Sequence, residues 1–432
     1  MHMVQIDQLR ESIRQGEYDA AFAKLYGADQ QQKQRERYLG ALESFEKTFG
    51  TGHEVQIYSA PGRTEIGGNH TDHNNGVVMA AAVNLDIIAV VSRNDSSVVR
   101  VKSQGFPSQD EVDLTCLEPQ KKEEGHSASL IRGVAAGIVR DGGKVGGFDA
   151  YTTSDVLRGS GLSSSAAFEV VIGEVFNGEF NEERFSMVDI AKISQYAENV
   201  FFGKPSGLMD QTACAVGSAI TIDFADPTAP IVNKVGFDLT GHGYALCITD
   251  TKGSHADLTA DYAAIRSEME QVAEFFGKKV LREVDEEEFI REIPAVRAKT
   301  GDRAVLRAMH FFNDCRRAGQ LCDAVREDRF EDFLQLILQG GHSSFEFNQN
   351  AYSIHSPAEQ GVSLGLALSQ RILQGRGAWR LQGGGFAGTI QAFVPVDLLD
   401  AYKAQLEGVF GEGACYVLSV RNYGAVAVVP GL

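Results

Sequence analysis

The chain has 432 residues, of which 43% are hydrophobic and 23% charged, a composition typical of a folded globular protein with two or three domains. This length excludes the mini-protein classes that depend on disulfides or metals for a core. Forty Lys and Arg against 58 Asp and Glu leave a formal net charge of −18. Such a charge argues against nucleic acid or an anionic membrane as the main partner. A phosphate-bearing ligand would therefore need a local anion site or a metal.

Cysteine usage and hydropathy indicate the compartment. The six cysteines are spread singly without a C-x-x-C pair, which favours reduced thiols over a zinc or redox motif. The first residues lack the apolar segment of a secretory signal. The longest apolar stretch, residues 77–91, contains Asn84 and Asp86 and is too short to span a bilayer. We therefore predict a cytoplasmic protein.

The first half of the chain mixes helical and strand patterns. Residues 5–49 have apolar side chains at roughly helical spacing among many charges, which predicts helix. β-Branched runs separated by turn residues predict strands at 55–58, 77–83, 87–91 and 98–102. Helical patterns follow at 128–140, 164–177 and 187–202. Strands and helices in one region predict an α+β fold.

A composition change at residues 225–230, which contain two prolines, predicts a boundary between domains at 1–225 and 226–432. The second half begins with a predicted strand at 244–249. Predicted helices cover 257–275, 301–338 and 357–374, and predicted strands cover 378–382, 389–394 and 416–429.

The sequence GSGLSSSAA (159–167) lies between an extended run, 148–157, and an amphipathic helical pattern. Glycines let the backbone approach a ligand closely, and the N-terminus of a helix attracts anions, so phosphate fits such a loop. Serine hydroxyls can also serve Mg²⁺. The alternative is a structural glycine turn with serine N-caps. The loop is neither a Walker A motif, since no Gly-Lys-Ser/Thr ends it, nor a Rossmann fingerprint, since Ser164 replaces the third glycine.

A second polar segment, GRTEIGGNHTDHNNG (62–76), lies between two predicted strands and is predicted to be a loop. Its end, Asn75-Gly76, is a hairpin signal, so a solvated turn is one interpretation. The segment also carries more planar donors and acceptors than a turn needs, which favours binding of hydroxyls or a phosphoryl group. His70 and His73 with Asp72 could instead ligate a metal.

A third segment contains two carboxylates. Glu198 borders the apolar stripe of a predicted helix, where it can point into a cleft. Asp210 falls near the start of a predicted helix after Pro205, where the helix dipole favours its ionised form. Helix stabilisation alone would also explain an aspartate at this position.

Taken together, these segments resemble the galactokinase branch of the GHMP small-molecule kinases over residues 59–429. The resemblance is carried by 62–76, 159–167, the late glycine motif GGGFAG (383–388), and the triplets AEN and MDQ around Glu198 and Asp210. Their joint occurrence in this order is specific. The resemblance implies two domains, an N-terminal one of the ribosomal-protein-S5 type and a C-terminal ferredoxin-like one, with ATP and a sugar in the cleft between them.

The resemblance also implies roles for individual residues. Asp210 would orient or deprotonate the anomeric hydroxyl, and Arg63 would keep Asp210 ionised and stabilise the transferred phosphoryl. Ser165 and Glu198 would be the Mg²⁺ ligands. The implied nucleotide contacts are Ser103, Gly159, Ser160, Gly161, Leu162, Ser163, Ser164 and Ser165. The implied sugar contacts are Asn69, His70, Thr71, Asp72 and Tyr262.

The sequence departs from the usual family motif at the predicted sugar site. Asn69 replaces the usual Glu, His73 the usual Tyr, and Glu65-Ile66-Gly67 the usual Asn-Leu-Ile. A neutral carboxamide at position 69 can still bond a hydroxyl but does not repel a carboxylate. We therefore expect ATP-dependent phosphorylation of galactose, with galacturonate, L-arabinose or an N-acetylated hexosamine as alternative substrates and a non-catalytic sugar and ATP sensor as an alternative class. The expected partners are the sugar and MgATP, and a monomer is compatible with the sequence.

Overall fold

A computed structural model describes residues 3–156, 161–204, 206–253, 258–429 and 432. The predicted Gly159 and Ser160 lie outside these residues. Within the described ranges, the chain forms two sheets, of nine and four strands. The nine-stranded sheet consists of β1 (Val4–Gln5), β2 (Glu54–Gly67), β3 (Val77–Arg93), β4 (Val98–Ser103), β5 (Asp110–Asp113), β6 (Phe148–Ser154), β7 (Ala219–Asp223), β8 (Ile231–Val235) and β13 (Val426–Val429). The four-stranded sheet consists of β9 (Tyr244–Asp250), β10 (Ala378–Leu381), β11 (Thr389–Pro395) and β12 (Cys415–Leu418).

Helices cover both sheets. The first half of the chain contains α1 (Ile6–Arg14), α2 (Asp19–Tyr26), α3 (Gln31–Phe49), α4 (Ser127–Arg140), α5 (Ser164–Asn181), α6 (Met187–Tyr196) and α7 (Met209–Val216). The second half contains α8 (Thr259–Phe275), α9 (Glu286–Thr300), α10 (Asp302–Arg326), α11 (Phe330–Ser343), α12 (Gly361–Leu373) and α13 (Leu399–Phe410). A π-helical turn, Ala197–Phe202, continues α6. The α+β fold class predicted from the sequence is confirmed.

Strands β2 and β3 form the centre of the larger sheet, which runs in the order β1-β2-β3-β6-β4-β5. Side chains alternate between the two faces of a strand, and both faces of β3 are buried. Ile88 and Val90 pack with apolar residues of α1, α2 and α3, whereas Ala89 and Val91 pack with residues of α4 and α5. Burial on both faces explains the near-continuous apolar run of β3 in the sequence.

The four-stranded sheet has the order β10-β11-β9-β12 and is antiparallel throughout. Helices α12 and α13 pack on it through a cluster that includes Val362, Leu373 and Tyr402. The domain boundary predicted at 225 and 226 falls between β7 and β8, which pair with each other in the larger sheet. Strand β13 returns to the same sheet beside β2. The division into 1–225 and 226–432 stays a prediction.

Several predicted elements differ from the structure. The single helix predicted at 5–49 is three helices, and the helix predicted at 301–338 is divided into α10 and α11 at Asp328, which has a left-handed backbone with φ +58°. Helix α9 was not predicted, because Pro294 interrupts its pattern. The loop predicted at 62–76 is wrong for residues 62–67, which belong to β2 and pair with β3. The polar side chains of this strand contact buried residues far along the chain, and the sequence alone does not reveal these distant contacts.

In the described part of the chain, every helix is too short or too polar to cross a membrane.

Candidate active site

The centre of the candidate site is a buried arginine on β2 paired with an aspartate on α7. Arg63 Nε donates a hydrogen bond to Asp210 Oδ1 at 2.7 Å, and Ser163 Oγ donates to Asp210 Oδ2. The Arg63 side chain is 9% exposed and that of Asp210 is 33% exposed. The guanidinium is therefore enclosed, while one side of the carboxylate remains accessible.

The environment of Asp210 keeps its carboxylate ionised. Burial alone would raise its pKa, but the charge of Arg63 and the hydrogen bonds from Arg63 and Ser163 outweigh burial and hold the pKa below its usual range. Asp210 also lies in the first turn of α7, where the positive end of the helix dipole favours negative charge.

The predicted phosphate loop lies directly against β2. Arg63 Nη1 donates to the carbonyl oxygen of Gly161 at 2.5 Å, and the Arg63 backbone N–H donates to the carbonyl oxygen of Leu162 at 3.0 Å. A Cβ atom at Gly62 would lie 2.8 Å from the same carbonyl oxygen, so this close approach requires glycine. The predicted phosphate loop is thus held directly against Arg63.

Helix α5 begins at Ser164, and Ser163 precedes it with a left-handed backbone of φ +59°. The Ser163 side chain does not cap the helix and instead binds Asp210. This contact argues against the interpretation of the serines as simple N-caps. It brings the predicted phosphate loop and Asp210 together.

The two predicted metal ligands also meet. Glu198 lies in the π-helical turn after α6 and is 3% exposed, and its Oε1 accepts a hydrogen bond from Ser165 Oγ at 3.3 Å. Lys204 Nζ lies 3.0 Å from the same oxygen. A carboxylate and a hydroxyl are ligands that suit Mg²⁺, which usually takes one or two protein carboxylates together with phosphate oxygens. The ammonium on Glu198 Oε1 indicates that this position favours a cation, so these residues fit the ion.

A buried amide fixes the other oxygen of Glu198. Gln211 Nε2 donates to Glu198 Oε2 at 2.8 Å and to Glu169 Oε2 at 3.1 Å. Burial, followed by the charge of Glu198, raises the pKa of Glu169 well above its usual value. Among the described residues, the Oε1 atoms of Glu169 and Gln211 have no hydrogen-bond partner. Because Gln211 holds Glu198 Oε2, Oε1 is the oxygen of this carboxylate that contacts Ser165.

The predicted sugar residues divide into two groups. Asn69 and Thr71 are fully buried, and Thr71 Oγ1 contacts the carbonyl oxygens of Gly68 and Val77 within its own turn. Asp72 is partly exposed, and its Oδ2 would lie 2.5 Å from a Cβ at Gly207. Burial and then the nearby charge of Asp210 raise the pKa of Asp72. The structure thus brings Asp72 near Asp210, on the open side of the site.

The Asn69 side chain is occupied by other parts of the protein. Its Nδ2 donates to Glu65 Oε1 at 3.0 Å and to the carbonyl oxygen of Gly383 at 2.7 Å. Its Oδ1 accepts from Asn350 Nδ2 at 2.9 Å and from Ser344 Oγ at 3.3 Å. Both hydrogens and both lone pairs of this amide are therefore used, which differs from the free hydroxyl-binding group expected from the sequence.

A buried ion pair lies beside this amide. Arg380 Nη2, on β10, donates to Glu65 Oε1 at 2.8 Å, and the two side chains are 1% and 5% exposed. On α10, Asp314 Oδ2 accepts from the Asn69 backbone N–H at 2.7 Å. Strand β2 and its following turn are thus joined to the second half of the chain.

The remaining predicted residues lie at the edges of the site. His70 Nε2 lies 3.0 Å from the carbonyl oxygen of Gly384, and Tyr262 Oη donates to the carbonyl oxygen of Gly385 at 3.2 Å. These contacts bring the late glycine motif next to the predicted sugar segment. Ser103, at the end of β4, accepts a hydrogen bond from Thr152 at 2.9 Å, beside the strand that leads into the phosphate loop.

A metal bound by the two histidines is not favoured. His70 and His73 have ring centroids 5.6 Å apart, but His70 Nε2 is already in contact with the carbonyl oxygen of Gly384 at 3.0 Å. No group of three or more potential metal-ligating side chains forms among the described residues.

Sequence reasoning missed Lys204, Gln211, Glu169 and the Glu65–Arg380 pair as parts of the site. Gln211 could have been found, because it follows Asp210 within the quoted MDQ triplet. Lys204 lies six residues after Glu198, a spacing that carries no helical or strand signal. Arg380 could not have been found, because 315 residues separate it from Glu65.

Comparison with known proteins identifies the fold and the family of this chain. Residues 43–93 match the galactokinase galactose-binding signature, and residues 129–218 match the GHMP kinase N-terminal domain. The fold is similar to that of a Lactococcus lactis galactokinase complexed with galactose, with a TM-score of 0.77, 23% identity, and coverage of 90% of this chain and 100% of the other. A Methanococcus jannaschii mevalonate kinase matches with a TM-score of 0.59, 13% identity, and coverage of 85% and 98%. The fold is thus that of the GHMP kinases.

The sequence relatives define the branch. A galactokinase from Actinobacillus pleuropneumoniae is 33% identical over 356 residues, which cover 82% of this chain and 89% of the relative. A galactokinase from Streptomyces coelicolor is 29% identical over 373 residues, which cover 85% and 92%. The chain belongs to the galactokinase family of GHMP kinases, as the resemblance in the sequence implied.

Proposed function

We propose that this chain transfers the γ-phosphoryl group of ATP to the anomeric hydroxyl of D-galactose, giving ADP and galactose 1-phosphate. Family membership supports ATP as the phosphoryl donor and a small sugar as the acceptor. The observation that carries the proposal is the placement of the Asp210 carboxylate between Arg63, at 2.7 Å, and Ser163 of the phosphate loop. An acceptor hydroxyl bound at Asp210 would lie next to the loop that holds the nucleotide.

The charges of this arrangement suit phosphoryl transfer. This reaction depends on positioning and charge stabilisation more than on strong base catalysis, because its transition state is loose. Asp210 is ionised, so it accepts a hydrogen bond from the sugar hydroxyl, orients the oxygen and takes up the proton as the new bond forms. Arg63 holds Asp210 in place and stabilises negative charge at the reacting centre.

Mg²⁺ belongs to the same proposal, with Ser165 Oγ and Glu198 Oε1 as its protein ligands. When bound, the ion would neutralise phosphate charge. Gln211 holds Glu198 Oε2, so the carboxylate can offer Oε1 to the metal without rotating away. This local positive charge offsets a chain with a net charge of −18, which would otherwise repel ATP. A cytoplasmic location completes the proposal.

A coupled assay of ADP release over a panel of sugars tests the proposal. The panel contains D-galactose, D-galacturonate, L-arabinose and N-acetylgalactosamine, with the Asp210→Asn protein as the background control. We expect kcat/KM to be highest for galactose. If galactose ranks far below the uronate or the pentose, the proposed substrate is wrong and only the reaction class survives.

Calorimetry separates an enzyme from a sensor. A sensor would bind galactose and MgATP without releasing ADP, and that result would contradict the proposed turnover. Among the described residues, Arg63 pairs with Asp210 and Ser165 contacts Glu198, and these contacts support the enzyme over the sensor.

A further inference from the structure

We propose that Lys204 is a nucleotide-binding residue whose ammonium pairs with Glu198 and transfers to phosphate oxygens when the nucleotide binds. This inference deepens the proposed ATP-dependent function and rests on it. It assigns a role to a side chain that the sequence motifs did not indicate.

The first support is the position of the ammonium. Lys204 follows Gly203, which ends the π-helical turn with a left-handed φ of +85°. The Lys204 backbone N–H donates to the carbonyl oxygen of Glu198 at 3.1 Å, and its Nζ lies 3.0 Å from Glu198 Oε1. The backbone turn therefore directs the lysine back onto the carboxylate of the residue six positions earlier.

The second support is the choice of oxygen. Glu198 Oε2 is held by Gln211, whereas Oε1 is the atom that Ser165 of the phosphate loop contacts at 3.3 Å. Lys204 thus binds the one Glu198 oxygen that faces the nucleotide side of the site.

The third support is the balance of charge and mobility. The carboxylates of Glu198 and Asp210 both lie close enough to Glu169 to raise the pKa of its carboxyl. Arg63 is enclosed, and its Nε and Nη1 are engaged by Asp210 and Gly161. The Lys204 side chain, by contrast, is 60% exposed. Lys204 is therefore the cation of this group that can change partner.

Exchange of partners is physically reasonable. An ion pair between an exposed lysine and one carboxylate is weak, because water competes for both groups. A triphosphate offers several oxygens and a higher charge, and hydrogen bonds between charged groups are stronger than neutral ones. When Glu198 Oε1 binds a divalent cation, the ammonium is repelled from it, and phosphate oxygens at the adjacent loop offer a replacement.

Two binding measurements test this role without using turnover. Lys204→Met removes the ammonium and keeps an apolar side chain of similar length, and Lys204→Arg restores a positive charge. Lys47→Met is the matched control, because Lys47 forms an exposed pair with Glu43 at 3.1 Å on α3, in the N-terminal helical layer. Calorimetry measures ATP binding in EDTA, and electron paramagnetic resonance measures Mn²⁺ binding without nucleotide.

The two affinities should change in opposite directions. In Lys204→Met, we expect ATP affinity without metal to fall about tenfold, because one charged hydrogen bond to phosphate is lost. Mn²⁺ affinity should rise severalfold, because the competing ammonium is gone. Lys204→Arg should recover most of the ATP affinity, and Lys47→Met should change neither.

Unchanged ATP affinity in Lys204→Met would overturn the inference and would show that Lys204 only forms a surface ion pair with Glu198. A parallel loss of both affinities together with a lower melting temperature would also overturn it, because this pattern indicates a damaged turn. If the wild-type protein binds ATP but releases no ADP with any sugar, the proposed function fails while the Lys204 measurements still decide its role.

Discussion

Two ion pairs on the same strand differ in what they leave accessible. Arg63 and Glu65 are two residues apart in a regularly paired part of β2, so their side chains share a face. Arg63 meets Asp210 at 2.7 Å, and Glu65 meets Arg380 at 2.8 Å. Asp210 remains 33% exposed, whereas Glu65 and Arg380 are 5% and 1% exposed. The two ion pairs therefore have similar distances but different exposure: a ligand can reach the first pair and cannot reach the second.

The enclosed Glu65–Arg380 pair holds the two sheets of the chain together. Glu65 Oε1 accepts from both Arg380 and Asn69, and Arg380 Nη1 also donates to the carbonyl oxygen of Ile66. Gln391 of β11 reinforces the contact by donating to the carbonyl oxygen of Glu65 at 2.9 Å. This network joins the end of β2 to the four-stranded sheet. The accessible pair depends on it, because the same strand carries Arg63.

The largest expected effect follows from removing the charge of Asp210. In Asp210→Asn, turnover should fall about 10³-fold or more, because the amide cannot take up the proton of the sugar hydroxyl. ATP affinity should stay within about twofold, because this side chain acts on the acceptor. Steady-state kinetics and calorimetry measure the two quantities. Asp323→Asn is the control, since its carboxylate forms an exposed pair with Arg326 at 2.7 Å. Retention of most of the rate would remove Asp210 from the mechanism.

Breaking the enclosed pair should affect stability instead. Arg380→Met leaves the Glu65 carboxylate buried without its cation and should lower the free energy of unfolding by about 3–5 kcal/mol, as measured by urea denaturation. Arg376→Met, which removes an exposed pair with Asp397 at 2.8 Å, is the matched control. A double variant with Glu65→Met should recover part of the loss. If Arg380→Met is as stable as the wild type, the assembly role is wrong.

Removing Arg63 should change the pH dependence of the reaction. The pKa of Asp210 lies below its usual range although burial opposes this, and the proposed mechanism requires the ionised form. The wild-type kcat/KM should therefore fall only in strongly acidic solution, as pH drops through this pKa. In Arg63→Gln, burial is no longer balanced, so the acid limb should move upward by about 1–3 pH units. The plateau should also fall about 10²-fold. An acid limb at the wild-type pH would show that Arg63 does not control Asp210.

The smallest effect concerns Asn69. In Asn69→Asp, two donated hydrogen bonds are lost and a carboxylate is placed next to Glu65, so the free energy of unfolding should fall by about 1–3 kcal/mol. Asn313→Asp, on α10, is the control. The side-chain oxygen of Asn313 accepts a hydrogen bond from Arg316, and an aspartate can still accept it. If stability is unchanged while the KM for galactose rises strongly, Asn69 is a direct sugar contact, as the sequence predicted.

The sequence by itself determined the chemistry-bearing segments, because each one is local. Glycines and serines at 159–167, the AEN and MDQ triplets, and the polar segment at 62–76 are recognisable without neighbours. The strands of the larger sheet could also be predicted from the sequence where their apolar runs are long, as in β3. Helix boundaries were harder to predict from the sequence. Hydrophobic spacing does not encode the left-handed backbone of Asp328, which separates α10 from α11, or the tolerance of α9 for an internal proline.

Tertiary structure alone decided which polar groups are free. Asn69 looks like a ligand-binding amide in the sequence, yet Gly383 and Asn350, about 300 residues away, use its hydrogen-bonding capacity. Glu65 and Arg63 are both charged residues of β2, and only their partners, Arg380 and Asp210, make the first pair enclosed and the second accessible. The physical reason is that burial and hydrogen-bond satisfaction are set by residues distant in the chain, which no local pattern contains.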